Sequence, residues 1–133
     1  MRLLTLERLL HIDAVELNVA LSQAATILAE ILATDKIDIF LYEPSTTTLV
    51  SYGVSDTPMG QQQKALGLDR LPLANKGRVV EVFETGEPFC SAHLDEDPHE
   101  LIGVKERLGI RSMMNVSLVV NGECRGVFSA VSA

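Results

Sequence analysis

Tryptophan is missing from this chain, and its aromatics stop at two tyrosines and four phenylalanines. Single-stranded nucleic acid is bound on aromatic stacking platforms along a basic groove. Neither feature is present: there is no Lys/Arg cluster, and 18 acidic residues against 11 basic ones leave a formal charge of −7. A nucleic-acid partner is therefore not expected, and the acidic balance reads as solubility. Cysteine is almost as scarce. Cys90 and Cys124 show no CxxC spacing, and in a reducing cytosol both read as free thiols. The three histidines, His11, His93 and His99, form no HExxH or paired-His pattern, so no metal site is expected. Long apolar runs are also missing. "MRLLTLERLLHID" is broken by Glu7 and Arg8, which does not suit a signal peptide or a membrane span. A cytoplasmic protein without a membrane partner is the expectation.

What is present is one domain's worth of globular sequence. At 133 residues and 47% apolar content, one core is affordable and two are not. Residues 2 to 12 read as a short helix with Leu3, Leu6 and Leu10 on one stripe. Asp13 followed by Glu16 resembles a capping box, opening a second helix to about Ala33. Leu17, Leu21, Ala24, Leu28 and Ile31 give that helix its period, and Val15, Val19, Ala25 and Ile27 widen the apolar face. A helix this apolar buries more than one side. One side can cover a sheet and the other can meet a partner helix. Burial of Leu3, Leu6, Leu10, Leu17 and Leu21 between two copies predicts a homodimer.

"KIDIFLYE", residues 36 to 43, alternates as a strand. Ile37, Ile39 and Leu41 point one way; Asp38, Phe40 and Tyr42 point the other. Residues 48 to 52 return as its partner. Residues 53 to 74 read as irregular, with one or two helical turns at "GQQQKAL". A helix capped by Asn75 follows to Glu84, ended by Gly86. A short strand covers 88 to 92. Asp97-Pro98 predicts another helix, closed by Gly109. Residues 110 to 120 and 124 to 132 form a strand pair across Asn121-Gly122, the strongest hairpin signal in the chain. The order gives an α+β domain with an antiparallel sheet.

Three stretches, "LAEILATDKIDIFLYEPSTTTLVSYGVSDTPMG", "ALGLDRLPLANKGRVVEVFETGEPF" and "LGIRSMMNVSLVVNGECRGVFSAVS", resemble a bacterial GAF domain over nearly the whole chain. The middle stretch is similar to a subgroup found in front of sensor histidine kinases and related signalling proteins. The resemblance implies a GAF-like, PAS-related, six-stranded antiparallel sheet with helices on one face and a loop and short-helix cover on the other. The domain would occupy residues 1 to 133, with 1 to 13 as an N-terminal helical extension. A helix leading to an output domain would be expected to follow Ala133, so the chain reads as part of a longer sensor. Residues 53 to 89 would form the cover, with Leu66, Leu68, Leu71 and Leu73 beneath it.

Under that cover, Asp38, Phe40, Tyr42, Asp69, Arg70, Arg78, Phe83 and Asn115 are the candidate ligand-binding residues. Arg78, in the first turn of its helix, favours an anionic small molecule, and a buried Asn115 would need partners; pairing of Arg78 with Glu81 or Asp69 is the purely structural alternative. No cofactor can be named. Bilin attachment through a Cys-His pair is not supported, because Cys90 precedes Ser91 and Cys124 precedes Arg125. The cyclic-nucleotide signature of the family cannot be located either. A non-enzymatic sensory domain that binds a small molecule or dimerises is the expectation. The alternatives are a dimerisation module with no ligand and a GAF-type free methionine sulfoxide reductase, which would need two thiols within reach.

Overall fold

Helix α1, Ala14–Leu32, lies against the strand that follows it because small residues line its inner face. Ala25 and Ala29 are buried on Ile37 and Ala130, with Leu28 and Phe128 at the edge of the cluster. The computed structural model describes residues 14–133, so the expected helix at 2 to 12 and its Leu3, Leu6 and Leu10 lie outside the described residues. The other elements are β1 Lys36–Glu43, β2 Thr48–Val54, α2 Pro58–Ala65, β3 Arg70–Pro72, α3 Arg78–Thr85, β4 Phe89–Ser91, β5 Ser112–Val120 and β6 Glu123–Ser132. They form one six-stranded antiparallel sheet in the order β3-β2-β1-β6-β5-β4, as expected.

The alternation of β1 decides what lies on each face. Ile37 meets α1. Asp38, Phe40 and Tyr42 face the cover, where Phe40 is buried with Leu49, Leu71, Val79, Val80, Val82 and Val127. A second cluster under the cover joins Met59, Leu94, Val104, Leu108, Ile110, Met113 and Val131. Polar side chains of α1 hold the other edge of its contact. Asn18 donates to the Tyr52 carbonyl at 2.7 Å, and Thr26 Oγ1 accepts from Asp56 N at 2.8 Å. Gly53 sits where a Cβ would be 2.8 Å from the Leu21 carbonyl oxygen, so helix and strand touch backbone to backbone there.

Three local expectations are corrected. The helix after residue 75 is capped by Gly77, not Asn75. Asn75 ends a 3₁₀ turn, Leu73–Asn75, and Lys76 and Gly77 both take positive φ before α3 begins at Arg78. The helix expected from Pro98 is absent; a 3₁₀ turn, Leu94–Glu96, and a π-helical turn, Gly103–Arg107, replace it. Asp97 explains the difference, because its carboxylate is drawn to Arg78 while also accepting from His99 N at 2.9 Å. In the stretch expected to be irregular, residues 70 to 72 form an edge strand, where Pro72 is tolerated. The helical turns at residues 60 to 66 belong to α2, whose Thr57 cap accepts from Gly60 N, with Pro58 in the first turn.

Candidate functional site

Apart from Asp69 and Arg70 at the sheet edge, the candidate residues separate into three groups. Tyr42 and Phe83 stack, with ring centroids 4.7 Å apart, over the cluster that buries Phe40. Asp69 and Arg70 stay at the sheet edge. Asp69 contributes its carbonyl to Ser51 N at 2.8 Å, and Arg70 pairs with Glu43 at 3.3 Å with about half its side chain exposed. Leu71 is buried, while Leu66, Leu68 and Leu73 are half-buried against the two clusters beneath the cover.

Arg78 and Asn115 meet around Phe89. The Arg78 guanidinium stacks over the Phe89 ring at 4.6 Å, and Phe89 lies opposite Asn115 in the β4–β5 register. The anion place expected at the start of α3 is taken by the chain's own carboxylates. Arg78 donates to both oxygens of Asp97, at 2.6 and 2.9 Å, and to Glu81 at 2.8 Å. Glu100, 6% exposed, accepts from Arg78 N at 3.2 Å and from Leu101 N at 2.8 Å through one oxygen. Its other oxygen and Asn115 Oδ1 are buried without a partner among the described residues. The Arg78 hydrogen bonds hold the Asp97 carboxyl below its ordinary range; burial pushes Glu100 up.

The third group is centred on Asp38, and sequence reasoning saw only one of its members. Asp38 is fully buried. Its Oδ1 accepts from Ser51 Oγ and from Gln63 Nε2, both at 2.7 Å, and its Oδ2 pairs with Lys36 Nζ. Lys36 is 3% exposed and Gln63 2%. The signal for Lys36 was readable, since it shares a strand face with Asp38 and Phe40. Gln63 was not, because its role depends on α2 lying across β1.

Among the described residues no group of three or more His, Cys, Asp or Glu could hold a metal ion. Cys90 is exposed and Cys124 half-buried, both as free thiols. Leu17 and Leu21 are half-buried, and the Leu21 backbone rests on Gly53. The outer surface of α1 instead exposes Val15, Val19, Ile27 and Ile31 at 75, 50, 56 and 71%. By length and composition α1 would suffice to cross a membrane, but its inner side packs on β1, β2 and β6.

Solved structures share this fold. One is free methionine-R-sulfoxide reductase from Neisseria meningitidis in complex with its substrate, 22% identical at a TM-score of 0.68, with 86% of this chain and 62% of that one covered. Another is the GAF domain of a phosphoenolpyruvate-protein phosphotransferase from Coxiella burnetii, 21% identical at 0.70, covering 87% and 67%. A third is a methyl-accepting chemotaxis protein, residues 122 to 287, 20% identical at 0.65, covering 86% and 71%. This chain thus spans less than two thirds of the Neisseria enzyme. Among curated proteins, none matches. The GAF domain family model matches residues 16–133, nearly all of a chain whose sheet, helix and cover have the expected arrangement, and the chain belongs to the GAF domain family.

Proposed function

We propose that this chain is a non-enzymatic, cytoplasmic sensory domain that binds a small molecule under its cover. It dimerises through α1 and so controls a signalling output such as a histidine kinase in a longer chain. The observation that carries this reading is the two-sided character of α1. Its inner side is committed to the sheet. Its outer side presents Val15, Val19, Ile27 and Ile31 to solvent. Residues four apart form an inclined ridge, the geometry by which two helices pack ridge into groove, and each side chain buried there would contribute about 1.5–3 kcal/mol. The same helix touches β1 and β2. A change under the cover is thus one sheet thickness from the dimer contact, and a ligand shifts the equilibrium by its difference in affinity for the two arrangements.

Sedimentation velocity tests the dimer. Wild type is expected to dimerise at tens of micromolar, a range set by a weak association of about −6 kcal/mol. The double variant Val19→Glu, Ile27→Glu should sediment as a monomer with an unchanged circular dichroism spectrum. A monomeric wild type at that concentration would sink the α1 contact.

A further inference from the structure

The Lys36–Asp38 pair is an odd thing to bury in a small core. Desolvating two charges costs more than their attraction returns unless every polar atom is satisfied. Asp38 meets that condition with three donors: Ser51, Gln63 and Lys36. Lys36 does not. Its ammonium has three N–H groups, and among the described residues Asp38 is its one hydrogen-bond partner.

The element that closes this site is weakly held. Of its eight residues, α2 buries only Met59, Gly60 and Gln63. The first anchors it to the apolar cluster, and the last is an amide pressed onto Asp38. Such a helix, tied by the side-chain amides of Gln62 on the Arg107 carbonyl and Gln63 on Asp38 and by little apolar surface, opens at lower free energy than the sheet beneath it. A cleft of about 270 Å³ lies along the outer edge of α2, between Asp35, the residue before Lys36, and Pro58, Met59 and Gln62.

We propose that Lys36 and Asp38 form the recognition centre for a free α-amino acid, with α2 as the lid and Gln63 as the lid's own stand-in for the ligand. The ligand ammonium takes the place of the Gln63 amide on Asp38 Oδ1, beside the Ser51 hydroxyl. Its carboxylate accepts the Lys36 N–H groups that Asp38 leaves unused. A zwitterion brings both charges together; an organic acid or a simple amine would leave one buried charge without its match, which costs more than the contact gains. The inference rests on the sensory reading above and names the ligand class for it.

Hydrogen exchange of α2 and thermal shift are read on the full chain with each proteinogenic L-amino acid in turn. The matching 2-oxo acids and amino-acid amides serve as single-charge controls, and organic acids, sugars and nucleotides as other classes. At least one amino acid should raise the melting temperature and change exchange across residues 58–65, while its oxo acid and amide do neither. Gln63→Ala removes the competitor and should tighten binding roughly tenfold; Lys36→Met should weaken it by more than about tenfold. Should Lys36→Met fail to fold, the oxo-acid and amide controls on wild type still decide the charge requirement. Protection of α2 by a compound of another class, with none by amino acids, overturns the zwitterion assignment and leaves the sensory reading standing. No response to any class, in wild type or Gln63→Ala, overturns both.

Discussion

Asp97 and Glu100, both beside Arg78, show how hydrogen bonding and burial shift two neighbouring carboxylates in opposite directions. Asp97 is held below its ordinary 3.8, first by the hydrogen bonds from Arg78, with its burial opposing. Glu100 is raised above 4.5, first by burial, with the N–H groups of Leu101 and Arg78 opposing. A lowered carboxylate contributes stability that is complete above 3.8 and lost as pH falls through its folded value. A raised one contributes stability that is complete below 4.5 and lost as pH rises through its folded value. Mild acidification should therefore raise the melting temperature through Glu100, and stronger acid should lower it through Asp97. Asp97→Asn should lower neutral-pH stability by about 1–2 kcal/mol, the scale of charge-assisted hydrogen bonds that stay partly wet, and flatten the acid-side loss. Glu100→Gln should remove the mildly acid rise. Thermal melts across pH check both, and an Asp97→Asn curve parallel to wild type would show that the Arg78 pair carries no pH dependence. Arg78 was legible as a residue of interest, and its pairing with Glu81 was one of the readings open to it. Asp97 and Glu100 were hidden because they sit about twenty residues downstream, in a stretch whose sequence imitates a helix start.

Strands were the most readable elements, because period-2 alternation and a tight Asn-Gly turn are local properties. β1 falls on the residues expected, and β5 and β6 differ from expectation by a residue or two at their starts. The elements of the cover were harder. Asp97-Pro98 carries a helix signal, but the Asp97 side chain is used on Arg78, and Glu100 turns inward to the start of α3. Thr57-Pro58 carried the same kind of signal, and there the helix forms. Both side chains accept from an amide just downstream. What separates the two is that Asp97 is also held by Arg78 and Glu100 is drawn to the start of α3, whereas Thr57 has no such competing long-range charge pairing among the described residues. α2 owes its seat to Gly60 as well: a Cβ there would stand 2.2 Å from the Ser55 carbonyl oxygen and 3.1 Å from Val54 Cγ1. Gly60→Ala must therefore push the first turn of α2 off the strand end. Overpacking of this kind costs about 1–3 kcal/mol. Amide exchange should speed up across residues 58–65 and leave the β1 and β6 amides as slow as before. Uniform acceleration over the sheet would mean instead that α2 and the sheet open together.

At the scale of the whole molecule, the β1–β2 and β5–β6 pairs were local reading, whereas the centre and the β3 edge were not. β1 pairs with β2 and β5 with β6 through short turns, whereas the central pairing joins residues 36–41 to residues 126–131. No alternation pattern selects that closure; it came from the resemblance to GAF domains. The polar site followed the same rule. Asp38 was visible on its strand, but Gln63 reaches it from 25 residues away, and only the assembled cover brings them together. The sheet also places the two cysteines. Cys90 on β4 pairs with Met114 and Cys124 on β6 pairs with Val119, so β5 separates them by five residues along its length. At about 3.3 Å per residue that is roughly 15 Å or more, far beyond the Cα separation of about 7 Å that a disulfide tolerates. Reduction of a sulfoxide by two thiols ends in a disulfide, with one oxygen leaving as water and both electrons drawn from the sulfurs. In this sheet that step would require β4 or the β5–β6 end to detach. Incubation with free methionine-R-sulfoxide should therefore leave two titratable thiols per chain in denaturant, with no mass loss of about 2 Da from paired oxidation. In the native protein Cys90 should react with a thiol reagent faster than Cys124, following their exposure. Disappearance of both thiols together, at a rate that rises with sulfoxide concentration, would overturn the non-enzymatic assignment and show that the sheet opens far enough to bring its two ends into contact.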